Sequence, residues 1–135
     1  MLWPKGLNKK IKTNVNLADF TSYKIGGPAK FFFEPGNLQN LQEVLLLAKN
    51  AGEKVFILGS GTNLLVGDFG VDGMVVRLNA EDFKGIYNKG TYLIAGSGLK
   101  LNQLILFAKE KGLSGLEFLA GIPGTLGGAL AGNAG

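Results

Sequence analysis

The chain has 135 residues, of which 46% are hydrophobic and 18% charged, and its formal net charge is +4 at pH 7. This balance predicts a folded globular protein of one domain or two small lobes, not a disordered chain. The sequence has neither cysteine nor histidine. Disulfides, thiolate or imidazole metal sites and mechanisms with a histidine base are therefore excluded within these residues.

Residues 1–15 carry Lys5, Lys9, Lys10 and Lys12, and we interpret them as a basic arm or a short irregular helix. Nucleic-acid surfaces usually add arginine forks and stacked aromatic rings to diffuse charge, and this chain has a single arginine. Its sequence shows neither the apolar core of a signal peptide nor the ~18 apolar residues of a membrane span. The sequence predicts a cytoplasmic protein that binds neither nucleic acid nor membrane.

A first lobe is predicted over residues 16–80, built on a strand, a helix and a second strand. Ala29–Glu34 has strand character, Asn37 can cap the helix, and Gly52 is placed to end it. The apolar run Val55–Leu58 is the second strand. We expect the two strands to pair in parallel, which places the loop that follows at a carboxyl end, where α/β sheets bind ligands. The apolar stripe of the helix is Leu38, Leu41, Val44, Leu45 and Ala48.

A second lobe is predicted over residues 81–135. Met74–Leu78 is a buried strand that precedes it, and the stretch Asp82–Gly90 is polar and rich in turn signals. Thr91–Ala95 has strand character, and Lys100–Lys111 has helical spacing of its apolar residues. That stripe consists of Leu101, Leu104, Ile105 and Ala108.

Two glycine-rich loops carry the functional signal. Gly59–Asn63 directly follows the second strand, and Gly121–Gly135 contains six glycines and Pro123. Glycine allows positive φ and a close approach to the backbone, and successive N–H groups in such loops suit a phosphate or pyrophosphate. Two such loops in one small chain indicate a dinucleotide. Glu117 precedes the second loop, and a lone glutamate there more often accepts backbone N–H groups than donates a proton.

Tight structural turns are the alternative explanation for both loops. Leu64 stands where a Rossmann fingerprint needs its third glycine, and no Gly-Lys-Ser/Thr follows to complete a Walker A loop. A classical NAD or ATP site is therefore excluded. A different dinucleotide site and a pair of structural turns both remain open on the residues alone.

The motifs taken together resemble the UDP-N-acetylenolpyruvoylglucosamine reductases, flavoenzymes of peptidoglycan precursor synthesis. The resemblance covers the chain from about Asn16 to its end. The motifs occur in the family's order: Tyr23–Ala29, Leu58–Leu64, Ala95–Gly98, Gly115–Glu117 and Gly121–Gly128 with Asn133–Gly135.

This resemblance implies an α+β fold, a two-lobed FAD-binding domain of the p-cresol methylhydroxylase/vanillyl-alcohol oxidase type whose second lobe is incomplete. It implies FAD as cofactor, NADPH as reductant and a UDP-sugar substrate bound by a further C-terminal part. The family's catalytic arginine, serine and glutamate lie beyond these motifs, so we expect no turnover by these residues alone and only weak retention of FAD. Another flavoprotein of this superfamily and a non-enzymatic nucleotide-binding module are the alternatives. The cofactor-binding residues implied are Leu58, Gly59, Ser60, Gly61, Thr62, Asn63, Gly121, Ile122, Pro123, Gly124, Thr125, Gly127, Gly128 and Asn133.

Overall fold

A four-stranded sheet and a separate β-hairpin, each packed against helices, make up the computed structural model, which describes residue 3 and residues 5–135. None of the helices in this described part is long and apolar enough to cross a membrane. The helices are α1 (Lys5–Asn8), α2 (Leu38–Asn50), α3 (Leu101–Glu110) and α4 (Leu126–Ala131). The strands are β1 (Lys12–Asn16), β2 (Pro28–Phe33), β3 (Val55–Leu58), β4 (Val71–Arg77), β5 (Ile86–Lys89) and β6 (Tyr92–Ala95).

The larger sheet has the strand order β1-β2-β4-β3, in which β1 is antiparallel and the other three strands are parallel. The expected direct pairing of β2 with β3 was wrong, because β4 lies between them and pairs with both. Met74, Val75 and Val76 of β4 are all buried, as befits an interior strand covered on both faces. Since the three strands are parallel, the loop after β3 still lies at a carboxyl end.

Residues 12–15 belong to the sheet, so their interpretation as an arm or irregular helix was wrong. Val15 of β1 packs on the sheet core, and Trp3, Leu7 and Ile11 are buried against the α2 face. The sequence did not predict their burial, because lysines separate these apolar residues along the chain. The Trp3 ring meets Phe31 of β2 edge to face, at 5.3 Å between centroids.

Helix α2 begins and ends as its capping residues predict. The Asn37 side chain accepts a hydrogen bond from Asn40 N at 2.8 Å. Gly52 follows the helix with φ +69°, and Glu53 N donates to Ala48 O. The predicted apolar stripe was too wide, because Val44 and Ala48 are buried whereas Leu38 and Leu45 are exposed.

The remaining elements surround a third apolar cluster, separate from the two clusters that flank the larger sheet. Strands β5 and β6 pair as an antiparallel hairpin. The prediction of turns over Asp82–Gly90 missed β5. Ile86 is the only residue of this strand that is not exposed, so the strand has almost no apolar pattern in the sequence. Helix α3 matches the prediction and buries Leu101, Leu104 and Ala108. The lobe boundary near residue 80 stays a prediction.

Candidate functional site

The first glycine-rich loop follows β3 and lies against the backbone of Phe20. Gly61 has φ +65°, and a Cβ added there would collide with the Phe20 carbonyl oxygen. Ser22 N donates to Gly61 O at 3.0 Å, which fixes the loop from the same side. Gly61 is therefore required by the loop's own conformation, whatever the loop binds.

The second loop runs from Gly121 to the start of α4. Gly121 and Gly124 have φ +83° and +138°, values that side chains disfavour. Thr125 caps α4 by accepting a hydrogen bond from Gly128 N at 3.3 Å. Leu126 N donates to Leu99 O at 2.8 Å, so this loop is tied to the residues that precede α3.

The two loops are in direct contact, although about 60 residues separate them in the sequence. Thr62 Oγ1 donates to Pro123 O at 3.1 Å. A Cβ built on Gly59 would stand 2.6 Å from Thr125 Oγ1, so only glycine allows this approach. The two glycine-rich loops therefore lie side by side in the fold, although they are far apart in the sequence.

A cleft of about 480 Å³ opens between these loops, within the range of small-molecule sites. Ten of the fourteen predicted cofactor residues line it: Gly59, Ser60, Gly61, Thr62, Asn63, Ile122, Pro123, Gly124, Thr125 and Gly128. Six residues outside that prediction complete the lining: Ile57, Leu64, Ala129, Ala131, Gly132 and Ala134. Small side chains of α4 thus form one wall, which glycine counting alone did not identify.

Four predicted residues do not line this cleft. Leu58 is buried in the sheet core, since alternate residues of a strand face opposite sides. Gly127 packs on Ser97, where a Cβ would stand 2.9 Å from the Ser97 Cβ. Gly121 lines a neighbouring cleft, and Asn133 is exposed at φ +47°.

The cleft offers hydrogen-bond donors but no carboxylate. No aspartate, glutamate, lysine or arginine is among its lining residues. Ser60 Oγ and Thr125 Oγ1 both accept hydrogen bonds, which leaves each hydroxyl proton for another acceptor. Thr62 already donates its proton to Pro123 O. With the apolar side chains of Ile57 and Ile122 beside these donors, the cleft suits a ligand that has both an anionic and an apolar part.

Glu117 has the structural position that the sequence favoured. Its carboxylate accepts a hydrogen bond from Gly115 N at 2.7 Å, and it does not line the cleft. Gly115 has φ +102°, so the carboxylate stabilises a turn that only glycine adopts readily.

Lys100 was missed by sequence reasoning. Its ammonium donates to Ser60 Oγ at 2.6 Å, across 40 residues of sequence. No local pattern signals this contact, because Lys100 simply precedes a helix in the sequence.

Comparison with known proteins identifies the type of domain. The family model described as FAD binding domain matches residues 29–135. The chain belongs to the FAD-binding domain family. This membership confirms the expected FAD-binding fold, and it favours a dinucleotide cleft over a pair of structural turns.

Two curated relatives share the name UDP-N-acetylenolpyruvoylglucosamine reductase. The UDP-N-acetylenolpyruvoylglucosamine reductase of Clostridium novyi is 40% identical over 127 residues, which are 94% of this chain and 41% of that protein. The reductase of the same name from Rubrobacter xylanophilus is 44% identical over 119 residues, 88% of this chain and 40% of that protein. The chain thus spans about two fifths of the length of these relatives.

Solved structures agree with this placement. The UDP-N-acetylenolpyruvylglucosamine reductase of Thermus caldophilus superposes with a TM-score of 0.67 and 35% identity, over 89% of this chain and 41% of that one. A p-cresol methylhydroxylase with substrate bound gives a TM-score of 0.51 at 14% identity, over 78% of this chain and 22% of that one. The second match shows the fold alone, and it agrees with the α+β architecture expected from the resemblance.

Proposed function

We propose that this chain is the FAD-binding part of a UDP-N-acetylenolpyruvoylglucosamine reductase. The longer protein would use NADPH to convert UDP-N-acetylenolpyruvoylglucosamine to UDP-N-acetylmuramate in cytoplasmic peptidoglycan synthesis. One observation carries the proposal: two glycine-rich loops, remote in sequence, line a single cleft in a chain of the FAD-binding domain family.

The residues of the cleft fit a flavin dinucleotide. A diphosphate needs hydrogen-bond donors and a close approach to the backbone. Ser60 and Thr125 supply hydroxyl donors, and the glycines of the two loops allow the close approach. The absence of a carboxylate from the lining removes a source of like-charge repulsion. The apolar walls are suited to the ring systems at either end of the cofactor.

FAD, when bound, supplies the hydride-transfer chemistry. The residues of this chain would bind and orient it: the loop around Gly61 and the loop around Gly124 would hold the diphosphate, and Ser60 and Thr125 would donate hydrogen bonds to it. None of the residues that line the cleft is a carboxylic acid that can deliver a proton. Proton delivery and recognition of the UDP-sugar are proposed for the rest of the longer protein, where the resemblance places the catalytic arginine, serine and glutamate.

Titration of the purified 135-residue chain with FAD, followed by flavin fluorescence and calorimetry, tests this function. We expect saturable one-to-one binding of FAD, weaker binding of ADP and no formation of UDP-N-acetylmuramate with NADPH and substrate. The absence of saturable FAD binding by the folded chain would refute the proposal. Binding of ADP as tight as that of FAD would favour a nucleotide-binding module without a flavin.

A further inference from the structure

Lys100 contacts both loops of the cleft although it belongs to neither. Its backbone forms an antiparallel bridge with Thr125, and the adjacent Leu101 N donates to Gly124 O at 3.1 Å. Its side chain reaches the other loop, where Nζ lies 2.6 Å from Ser60 Oγ. One residue therefore connects the two loops through its backbone on one side and its ammonium on the other.

This contact determines which way the Ser60 hydroxyl can donate. The Lys100 ammonium has only donors, so Ser60 Oγ must accept from it. The Ser60 proton is then available for a different acceptor, and Ser60 lines the cleft. A ligand oxygen there would receive a hydrogen bond from a hydroxyl that the neighbouring cation polarises.

The contact also brings a positive charge to a cleft whose lining has none. Within residues 6–135, no other charged side chain hydrogen-bonds to a residue of the lining. Lys100 lines the neighbouring cleft of about 370 Å³, which shares Ser60 and Thr62 with the first. Its ammonium thus stands one hydroxyl away from the space that we assign to the cofactor.

We infer that Lys100 is a positioning residue for the cofactor's diphosphate, acting through Ser60. It holds the two loops together, directs the Ser60 hydroxyl into the cleft and supplies a positive charge close to the diphosphate. This inference rests on the proposed function, because it takes FAD as the occupant of the cleft.

The test compares FAD affinity in the 135-residue chain with Lys100→Gln, which removes the charge, and Lys100→Arg, which keeps it. Lys109→Gln is the matched control, since Lys109 lies exposed near the other end of α3. Lys100 is exposed, so we expect Lys100→Gln to weaken FAD binding by only about three- to tenfold. We expect Lys100→Arg to restore most of the affinity and Lys109→Gln to have no effect.

Salt dependence separates a role of the charge from a role in loop structure alone. If the charge acts on the diphosphate, the fall in FAD affinity with rising salt will be shallower in Lys100→Gln than in wild type. An unchanged salt dependence, or an affinity equal to that of Lys109→Gln, would overturn the inference. A thermal unfolding scan of each variant shows whether the fold is retained.

A double-mutant cycle with Ser60→Ala tests whether Lys100 acts through Ser60. We expect the affinity loss of the double variant Ser60→Ala/Lys100→Gln to be smaller than the sum of the two single losses, because part of the Lys100 effect passes through Ser60. Fully additive losses would show that Lys100 acts independently and would refute the route through Ser60. A wild-type chain that binds no FAD would instead refute the proposed function.

Discussion

At the residue scale, Gly61 and Gly128 differ in the atoms that an added methyl group would contact. Gly61 has positive φ and lies against the Phe20 carbonyl. A side chain at this position is therefore excluded by the protein's own backbone. Gly128 lies in α4, and a Cβ there would meet only Thr125 Oγ1 at 3.2 Å. Alanine at the two positions should therefore affect different properties.

We expect Gly128→Ala to lower FAD affinity while leaving stability nearly unchanged. Alanine favours helix over glycine by about 1 kcal/mol, which offsets a small shift of the Thr125 cap. The methyl group would narrow the wall of the cleft, and we expect FAD binding weaker by at least about tenfold. Fluorescence titration measures the affinity, with Gly36→Ala as a control remote from the cleft. FAD affinity equal to that of the control would show that Gly128 does not contact the cofactor.

Gly61→Ala should instead destabilise the folded chain. Positive φ and the collision with Phe20 O together predict a loss of more than about 1 kcal/mol in the free energy of unfolding. Urea denaturation without FAD measures this loss. An unfolding midpoint equal to that of wild type would contradict the positive φ of Gly61 and its contact with Phe20 O.

At the scale of elements, the interior of the larger sheet carries the stability of the fold. Phe33 of β2 is 0% exposed, and its truncation to alanine is expected to cost about 3–5 kcal/mol. Phe69 is fully exposed, so Phe69→Ala should change stability by less than about 0.5 kcal/mol. Urea denaturation of the two variants gives the comparison. Similar unfolding midpoints would contradict the burial of Phe33.

The β5–β6 hairpin should open more readily than the interior of the larger sheet. Strands β2 and β4 have neighbours on both sides, whereas β5 and β6 pair only with each other. Isolated two-stranded sheets are marginally stable. We expect amides of residues 86–95 to exchange with deuterium faster than those of residues 29–33 and 71–77. Equal protection of both regions, measured by mass spectrometry, would show that they unfold as one unit.

Local chemistry explains which elements could be predicted from the sequence. The cap at Asn37 and the stop at Gly52 depend on neighbouring residues only, and both were correct. The insertion of β4 between β2 and β3 depends on which strands meet in three dimensions, and strand composition does not encode it. The contact of Lys100 with Ser60 is tertiary in the same way. The two glycine loops were found because close backbone approach demands a residue type that is visible in any sequence.

At the scale of the whole molecule, the outer edge of β3 is the surface through which copies of the chain should associate. Strand β3 pairs on one side only, and its side chains Phe56 and Ile57 are about half exposed. Exposed apolar edges favour pairing between molecules. We expect sedimentation velocity to show self-association that rises with concentration and falls in Phe56→Lys.

The control for this prediction is Leu46→Lys, which places the same charge at an exposed position of α2. It should associate as wild type does. A wild-type chain that stays monomeric at all concentrations, or equal association of both lysine variants, would show that the β3 edge is not the contact.

The position of β4 at the centre of the sheet has a consequence for synthesis on the ribosome. The chain is made from its N-terminus, so β2 and β3 emerge before the strand that joins them. Phe32 of β2 pairs with Val75 of β4 in the finished sheet. Until β4 has left the exit tunnel, the apolar residues of β2 and β3 lack the strand that pairs with them. The nascent chain therefore passes through a stage with exposed aromatic residues and unpaired strand edges, which are the features that chaperones bind.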